Sequence, residues 1–295
     1  MILHRYFLLG ATIGALAACG SDSTSPKFIT PPSSGLVRFI NAVPDTGFQD
    51  FRFTDVVEGV PNVEFVNLPF RGGVNVAFQR AVAGTHHIRV FMGSSNTTPS
   101  APNGFDPVVV STVMADTTFT FQQDVAQTFV FYGSARAAAQ KFLITTDARP
   151  NLTLASGNLG FRTTNLTAGP VDVYLVPGST LAAAPSGTPV ITNLASLGTS
   201  AYVTQAIAGA ASGYSVVVTT AGTATVVANV LMPVGAALVP AVPGVSGQLD
   251  PVAGSRISGS VFTGYIFPPS VAGSKAAAFA NPGVGLTIDK NPPAS

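Results

Sequence analysis

Leu36-Val37-Arg38-Phe39-Ile40-Asn41 sets Val37 and Phe39 against Arg38. Successive side chains of an extended chain point to opposite faces, so this stretch reads as a half-buried strand. The same period of two returns in Phe51-Arg52-Phe53, 63–66, 74–79, 87–91, 108–110, Phe119-Thr120-Phe121 and Phe129-Val130-Phe131-Tyr132, with Gly, Pro, Asn or Ser between the runs. Short alternating runs separated by turn formers predict antiparallel strands, and strands this closely spaced predict a sandwich or a barrel. Only 135–140 reads as helical, for one or two turns, and 94–107 reads as a long polar loop.

Composition agrees with strands. Hydrophobic residues make up 46% of the chain and charged residues 9%. The apolar share argues against disorder. Val, Thr, Phe, Gly and Pro are abundant, which is the vocabulary of strands and turns. Charge is balanced, so there is no electrostatic footprint for nucleic acid or for an anionic membrane surface.

Near residue 150 the pattern begins again. Val37-Arg38-Phe39 aligns with Leu159-Gly160-Phe161, Gly47 with Gly169, and Asp50-Phe51-Arg52-Phe53 with Asp172-Val173-Tyr174-Leu175, all at one spacing of 122. Ala81-Val82-Ala83-Gly84 matches Ala206-Ile207-Ala208-Gly209, and the 129–132 run has its counterpart in 261–267. Thr146-Asp147-Ala148-Arg149-Pro150 matches Ile288-Asp289-Lys290-Asn291-Pro292 near the two ends. A shared order of patches predicts two tandem β domains, 36–152 and 153–295.

The same patches carry a family resemblance. Arg38-Phe39-Ile40-Asn41-Ala42-Val43-Pro44-Asp45, Asp50-Phe51-Arg52-Phe53 and Val82-Ala83-Gly84-Thr85-His86-His87-Ile88-Arg89-Val90 resemble the repeat of domain-of-unknown-function family 4397. Its members read approximately R-F-V-N-A-S-P-D, V-D-V-Y and, later, P-A-G-T-Y-x-V-x-V. The second half keeps Pro170-Val171-Asp172-Val173-Tyr174 and Ala208-Gly209, but has Arg162-Thr163-Thr164-Asn165 where the family shows its Asn-Ala-Ser-Pro-Asp run. The resemblance covers most of 36–292. It implies Ig-like β modules on secreted bacterial proteins, often preceded by a lipobox, and it implies no activity.

Upstream, His4 and Arg5 precede an apolar run that ends at Leu16-Ala17-Ala18-Cys19, and Cys19 is the only cysteine. A basic start, a short apolar run and small residues before a cut make a secretory signal peptide, 1–18. The run is shorter than the ~20 residues that span a bilayer. Leu16-Ala17-Ala18-Cys19 resembles the bacterial lipobox, which implies a lipid on Cys19. An unpaired thiol in an oxidising compartment is otherwise an unusual thing to export. Two or more acyl chains anchor a protein stably. Gly20 after the cysteine points, by resemblance to envelope sorting, to the outer membrane. Residues 19–35 then read as the lipidated cysteine and a flexible Gly-, Ser- and Pro-rich linker.

Side chains that carry chemistry are sparse. His86 and His87 are adjacent in an expected strand, so they point to opposite faces and cannot converge on one metal or serve one triad. Zinc-ligand spacing, a nucleophile elbow and a phosphate loop are absent from the sequence. Asp45, Asp50 and Asp55 could contribute oxygens to a calcium site, against the commoner use of Asp in turns to cap backbone N–H groups. Asp50 and Asp172 share a repeat position, which points to a structural role in both halves. Tyr202, Tyr214, Phe105 and Phe48 are the aromatic candidates for a sugar or partner surface, against the commoner core role. Val226 to Val245 is free of charge, but Pro233, Pro240 and Pro243 break it as a helix, so it reads as a strand to Leu231 and an apolar loop.

The sequence therefore predicts an all-β protein, two tandem Ig-like antiparallel sandwiches after a signal peptide and tether. The function it points to is a membrane-anchored envelope lipoprotein, a non-catalytic binding or structural module for a protein or glycan ligand. No cofactor, metal or nucleic acid is expected. An exported polysaccharide hydrolase is the rival, and it needs two converging carboxylates about 5–10 Å apart. A purely mechanical spacer is the third reading.

Overall fold

The alternating stretch at 36–41 becomes the middle of strand β1 (Ser34–Ala42). In the computed structural model, residues 32–55, 65–93, 112–148, 152–209, 212–237, 250–276 and 279–292 are described. Ser33–Ser295 form one compact unit; of the separate unit Met1–Pro32, Pro32 alone is described. The first repeat continues with β2 (Gln49–Phe53), β3 (Gln79–Val82), β4 (Gly84–Met92), β5 (Val113–Phe121), β6 (Val125–Tyr132) and β7 (Lys141–Ala148). The second contains β8 (Asn158–Asn165), β9 (Val171–Gly178), β10 (Ile191–Leu194), β11 (Val203–Ala206), β12 (Gly213–Thr220), β13 (Val226–Leu231), β14 (Val261–Phe267) and β15 (Gly283–Lys290). None of the described residues forms a helix long and apolar enough to cross a membrane.

Four sheets result, with orders β3-β1-β6-β7 and β2-β4-β5 in the first repeat and β11-β8-β14-β15 and β10-β9-β12-β13 in the second. The orders superimpose strand for strand. Among the described residues strand β10 has no strand counterpart, and an isolated bridge between Gln49 and Leu68 stands on the corresponding edge of the first repeat. All-β architecture with paired sheets is what the alternation predicts. Within each repeat one pair departs from antiparallel geometry: β1 runs parallel to β6, and β8 parallel to β14. Parallel neighbours need a long crossover, and here the intervening strands of the opposite sheet supply it.

Each repeat buries its own core between its two sheets. In the first, Phe39 of β1 stacks on Phe51 and Phe129 at centroid distances of 5.0 and 5.2 Å and meets Phe65 edge-on at 5.0 Å. In the second, Phe161, Val173, Val216, Val218, Phe262 and Ile266 fill the same space. A third cluster joins the repeats. Ile40, Ala42 and Val130 from the β3-β1-β6-β7 sheet pack with Leu166, Tyr265 and Phe267 of the second repeat. The layers therefore run outer sheet, inner sheet, inner sheet, outer sheet, and both faces of β1 are covered.

Two local expectations need correcting. The strand expected at 74–79 begins only at Gln79, because Val74 leaves the sheet to pack into the cluster between the repeats. A Cβ on Gly285 would lie 2.9 Å from Val74 Cγ1, so glycine at that point of β15 is what admits this segment. The helical turns expected at 135–140 are a hydrogen-bonded turn without helix: Asp45 accepts from Ser134 Oγ at 2.6 Å and from the Ala135 and Arg136 amides at 2.9 and 3.0 Å. Burial alone would raise Asp45, and these three donors outweigh it and hold the carboxyl below its ordinary value. The loop expected at 94–107, the strand at 108–110 and most of the apolar loop after Leu231 lie outside the described residues.

Candidate functional site

Arg38 projects from β1 into the space between the inner sheets and is fully buried. Its Nη2 donates to Asp289 Oδ1 at 2.8 Å and to Thr128 Oγ1 at 3.2 Å, and its guanidinium lies 4.0 Å over the ring of Phe78. Arg162 projects from β8 in the same way. Its Nη2 donates to Asp147 Oδ2 at 2.7 Å, its Nε to Thr263 Oγ1 at 2.8 Å, and its guanidinium lies 4.4 Å over Tyr202.

These two constellations are related by the repeat. Arg38 lies across from Thr128 and Arg162 from Thr263 in the parallel pairs. Thr128 lies across from Thr145 and Thr263 from Thr287, each two residues before an aspartate, Asp147 or Asp289. Each arginine takes the aspartate of the other repeat. This is the isologous pattern of a two-fold dimer, written here within one chain. Arg71 adds a further tie: its Nη2 donates to Pro268 O at 2.8 Å, and its guanidinium lies among the rings of Phe70, Phe267 and Phe279.

The pairing also corrects the alignment. Asn41 Nδ2 donates to Leu68 O and its Oδ1 accepts from the Val43 amide; Asn165 Nδ2 donates to Leu194 O and its Oδ1 accepts from the Thr167 amide. Asn41 therefore matches Asn165 and Arg38 matches Arg162, so the first strand aligns at a spacing of 124, two residues from the 122 read in the sequence. A slip of two keeps every side chain on its face, and apolar alternation cannot detect it. Arg162-Thr163-Thr164-Asn165 is the counterpart of Arg38-Phe39-Ile40-Asn41.

Burial disfavours the Arg162 cation, but the carboxylates of Asp147 and Asp289 around it outweigh burial and hold its pKa above the usual arginine value. Burial, and then Asp289 beside it, push the Tyr202 hydroxyl far above its ordinary value. Tyr202 is thus a neutral donor, 3.1 Å from Asp289 Oδ2 and 3.5 Å from Asp147 Oδ1. Asp289 also accepts from Thr263 and Thr287. The two carboxylates are neighbours, but both are occupied by guanidinium and hydroxyl donors. Phe78 serves the first repeat without a hydroxyl. Tyr202→Phe is accordingly expected to cost about 1.5–3 kcal/mol, one hydrogen bond to a charged acceptor, measured as a shift in denaturant midpoint at unchanged slope.

The residues singled out in the sequence go to separate places. Asp45 holds the 134–136 turn; Asp50 accepts from the Asn67 amide at 2.7 Å and pairs with Arg52; Asp55 lies 3.2 Å from His86 Nδ1. They do not converge, and among the described residues no group of three or more His, Cys, Asp or Glu could hold a metal. Asp172 repeats the role of Asp50, accepting from the Asn193 and Gly222 amides at 2.7 Å each. Asn67 and Asn193 both adopt left-handed φ values, 52° and 48°, which asparagine tolerates well. The paired Asp position is a turn clamp common to both repeats.

His86 points inward, stacked on Phe121 at 5.2 Å, with a ring nitrogen 2.8 Å from Val82 O. His87 points outward, between Thr54 Oγ1 at 2.9 Å and the Asp116 carboxylate. The pair divides between faces, as adjacent strand residues must. Tyr214 is buried and donates to Ala206 O at 3.0 Å, Tyr202 belongs to the clamp between the repeats, and Phe48 is half-buried. Cys19 and Phe105 lie outside the described residues.

A cleft of about 810 Å³ opens beside the Arg38–Asp289 clamp. Val74, Val76 and Phe78 of the first repeat form one wall, Val230 and Leu231 of β13 another, and the length of β15 its floor. The clamp and the cleft were not legible in the sequence; the usable signal was two lone arginines and two lone aspartates at matching repeat positions. No model of a known protein family matches the chain, and no curated protein matches it.

Proposed function

We propose that this chain is an exported, lipid-anchored envelope protein whose two β modules act as a non-catalytic binding platform for a protein or glycan partner. The observation that carries the reading is the use made of the charged side chains. Arg38, Arg162, Asp147 and Asp289 hold the repeats to each other, and Asp45, Asp50 and Asp172 hold turns. A general acid or base must reach its substrate within hydrogen-bond distance, and these carboxylates already have protein donors. The sandwiches resemble Ig-like modules of family 4397 in sequence, and Leu16-Ala17-Ala18-Cys19 supplies the anchor. The cleft beside β15 favours a binder over a mechanical spacer.

The test is intact mass and membrane fractionation of the protein beside a Cys19→Ala variant. The wild type is expected in the membrane fraction with the mass of a cleaved, acylated chain, and the variant in the soluble fraction. A soluble wild type of unmodified mass would overturn the anchor.

A further inference from the structure

We propose that the cleft beside β15 receives an extended peptide strand from a partner protein, which joins the β11-β8-β14-β15 sheet as a fifth strand. The inference rests on the binding-platform reading and names its site and partner class. Strand β15 pairs with β14 along one edge only. Among the described residues, no backbone-to-backbone hydrogen bond reaches its other edge over 284–286, while further along Ile288 O accepts from Arg38 Nη1 at 3.3 Å. Such an edge offers a row of donors and acceptors that only another main chain can match in register.

The layers on either side shape the vacancy for one strand. Because Arg38 of β1 meets Asp289 of β15 and Arg162 of β8 meets Asp147 of β7, the inner sheets stack in opposite strand order. Strand β3, beside β1, and the segment leading into it therefore overhang the outer edge of β15. Val74, Val76 and Phe78 form the roof, and Val230 and Leu231 of β13 form the opposite wall. A strand laid along β15 would put alternate side chains against each apolar wall. The cleft continues the interface already built between the repeats: Phe78 and Asp289 belong to both. Its 810 Å³ lies within the range of sites that enclose a ligand. An isolated acyl chain would fill the walls but leave the strand edge unmatched, so the peptide is the better fit.

The test uses the full mature chain and an acetylated, amidated peptide of alternating Thr and Val, about six residues long, the usual length of a strand. Its control is the same peptide N-methylated at alternate amides, with laurate as an apolar probe that has no backbone. Saturable peptide binding with new amide-exchange protection at Val284 and Leu286 is expected, with the N-methylated peptide at least about tenfold weaker. Leu231→Lys and Ile288→Lys, at side chains 39% and 38% exposed, should each weaken binding about tenfold with the fold intact. Equal binding of the two peptides, laurate binding in place of the peptide, or unchanged exchange along β15 would overturn the proposal. Envelope partners retained equally by wild type and Leu231→Lys would sink the cleft alone and leave the binding platform standing. Absence of any partner for either protein would remove both.

Discussion

Arg38→Ala is expected to destabilise the folded unit by about 3–5 kcal/mol, the cost of leaving a buried charge without its partner. Asp289 is 5% exposed and pairs with the Arg38 guanidinium at 2.8 Å. The same substitution removes the donor to Thr128 Oγ1 and to Ile288 O, and takes the cation from the face of Phe78. Thr263, Thr287 and Tyr202 continue to donate to Asp289, which places the effect toward the lower end of that range. At this size the melting temperature should fall by roughly 6–10 °C. Asp289→Ala should cost a similar amount, and the double variant less than the sum of the singles, because both remove one interaction. The exposed Arg89–Asp116 pair provides the contrast: solvent screening leaves such pairs little weight, and Arg89→Ala should leave the melting temperature unchanged within error.

Phe39→Ala is expected to cost about 3–5 kcal/mol as well, by a different route. Phe39 is fully buried and touches the rings of Phe51, Phe53, Phe65 and Phe129, which come from two separate strands and the 65–68 segment. Truncation removes its transfer energy and leaves a cavity that rings fixed on paired strands cannot collapse to fill. Phe39→Leu, which keeps most of the volume, should recover about half or more of the loss. Urea unfolding monitored by far-UV circular dichroism measures both variants.

Strand content and the internal repeat were legible in the sequence because both rest on period-two alternation and turn formers, which are local. What escaped it was non-local. Arg38 between Val37 and Phe39 reads as the solvent face of a half-buried strand, yet that face is covered by a second sheet. Nothing local distinguishes an arginine facing water from one facing an aspartate 251 residues away. The two-residue slip escaped for the same reason, and the hydrogen bonds of Asn41 and Asn165 fix the register that alternation leaves open. Val74-Asn75-Val76-Ala77-Phe78 has a strand's composition but is drawn off by Arg38 and by Gly285 of the other repeat. The equivalent aspartates Asp50 and Asp172 were readable because their function is local to a turn in each half.

The reciprocal clamp has one further consequence. Two sandwiches joined only by a linker unfold independently, whereas two that share Arg38–Asp289, Arg162–Asp147 and the Ile40–Tyr265 cluster should unfold together. Differential scanning calorimetry of the protein measures this directly. A single transition is expected, with calorimetric and van't Hoff enthalpies equal within error and with Arg38→Ala lowering the whole of it. Two resolved transitions in the wild type, with Arg38→Ala moving one or neither, would contradict a unit held together across its two repeats.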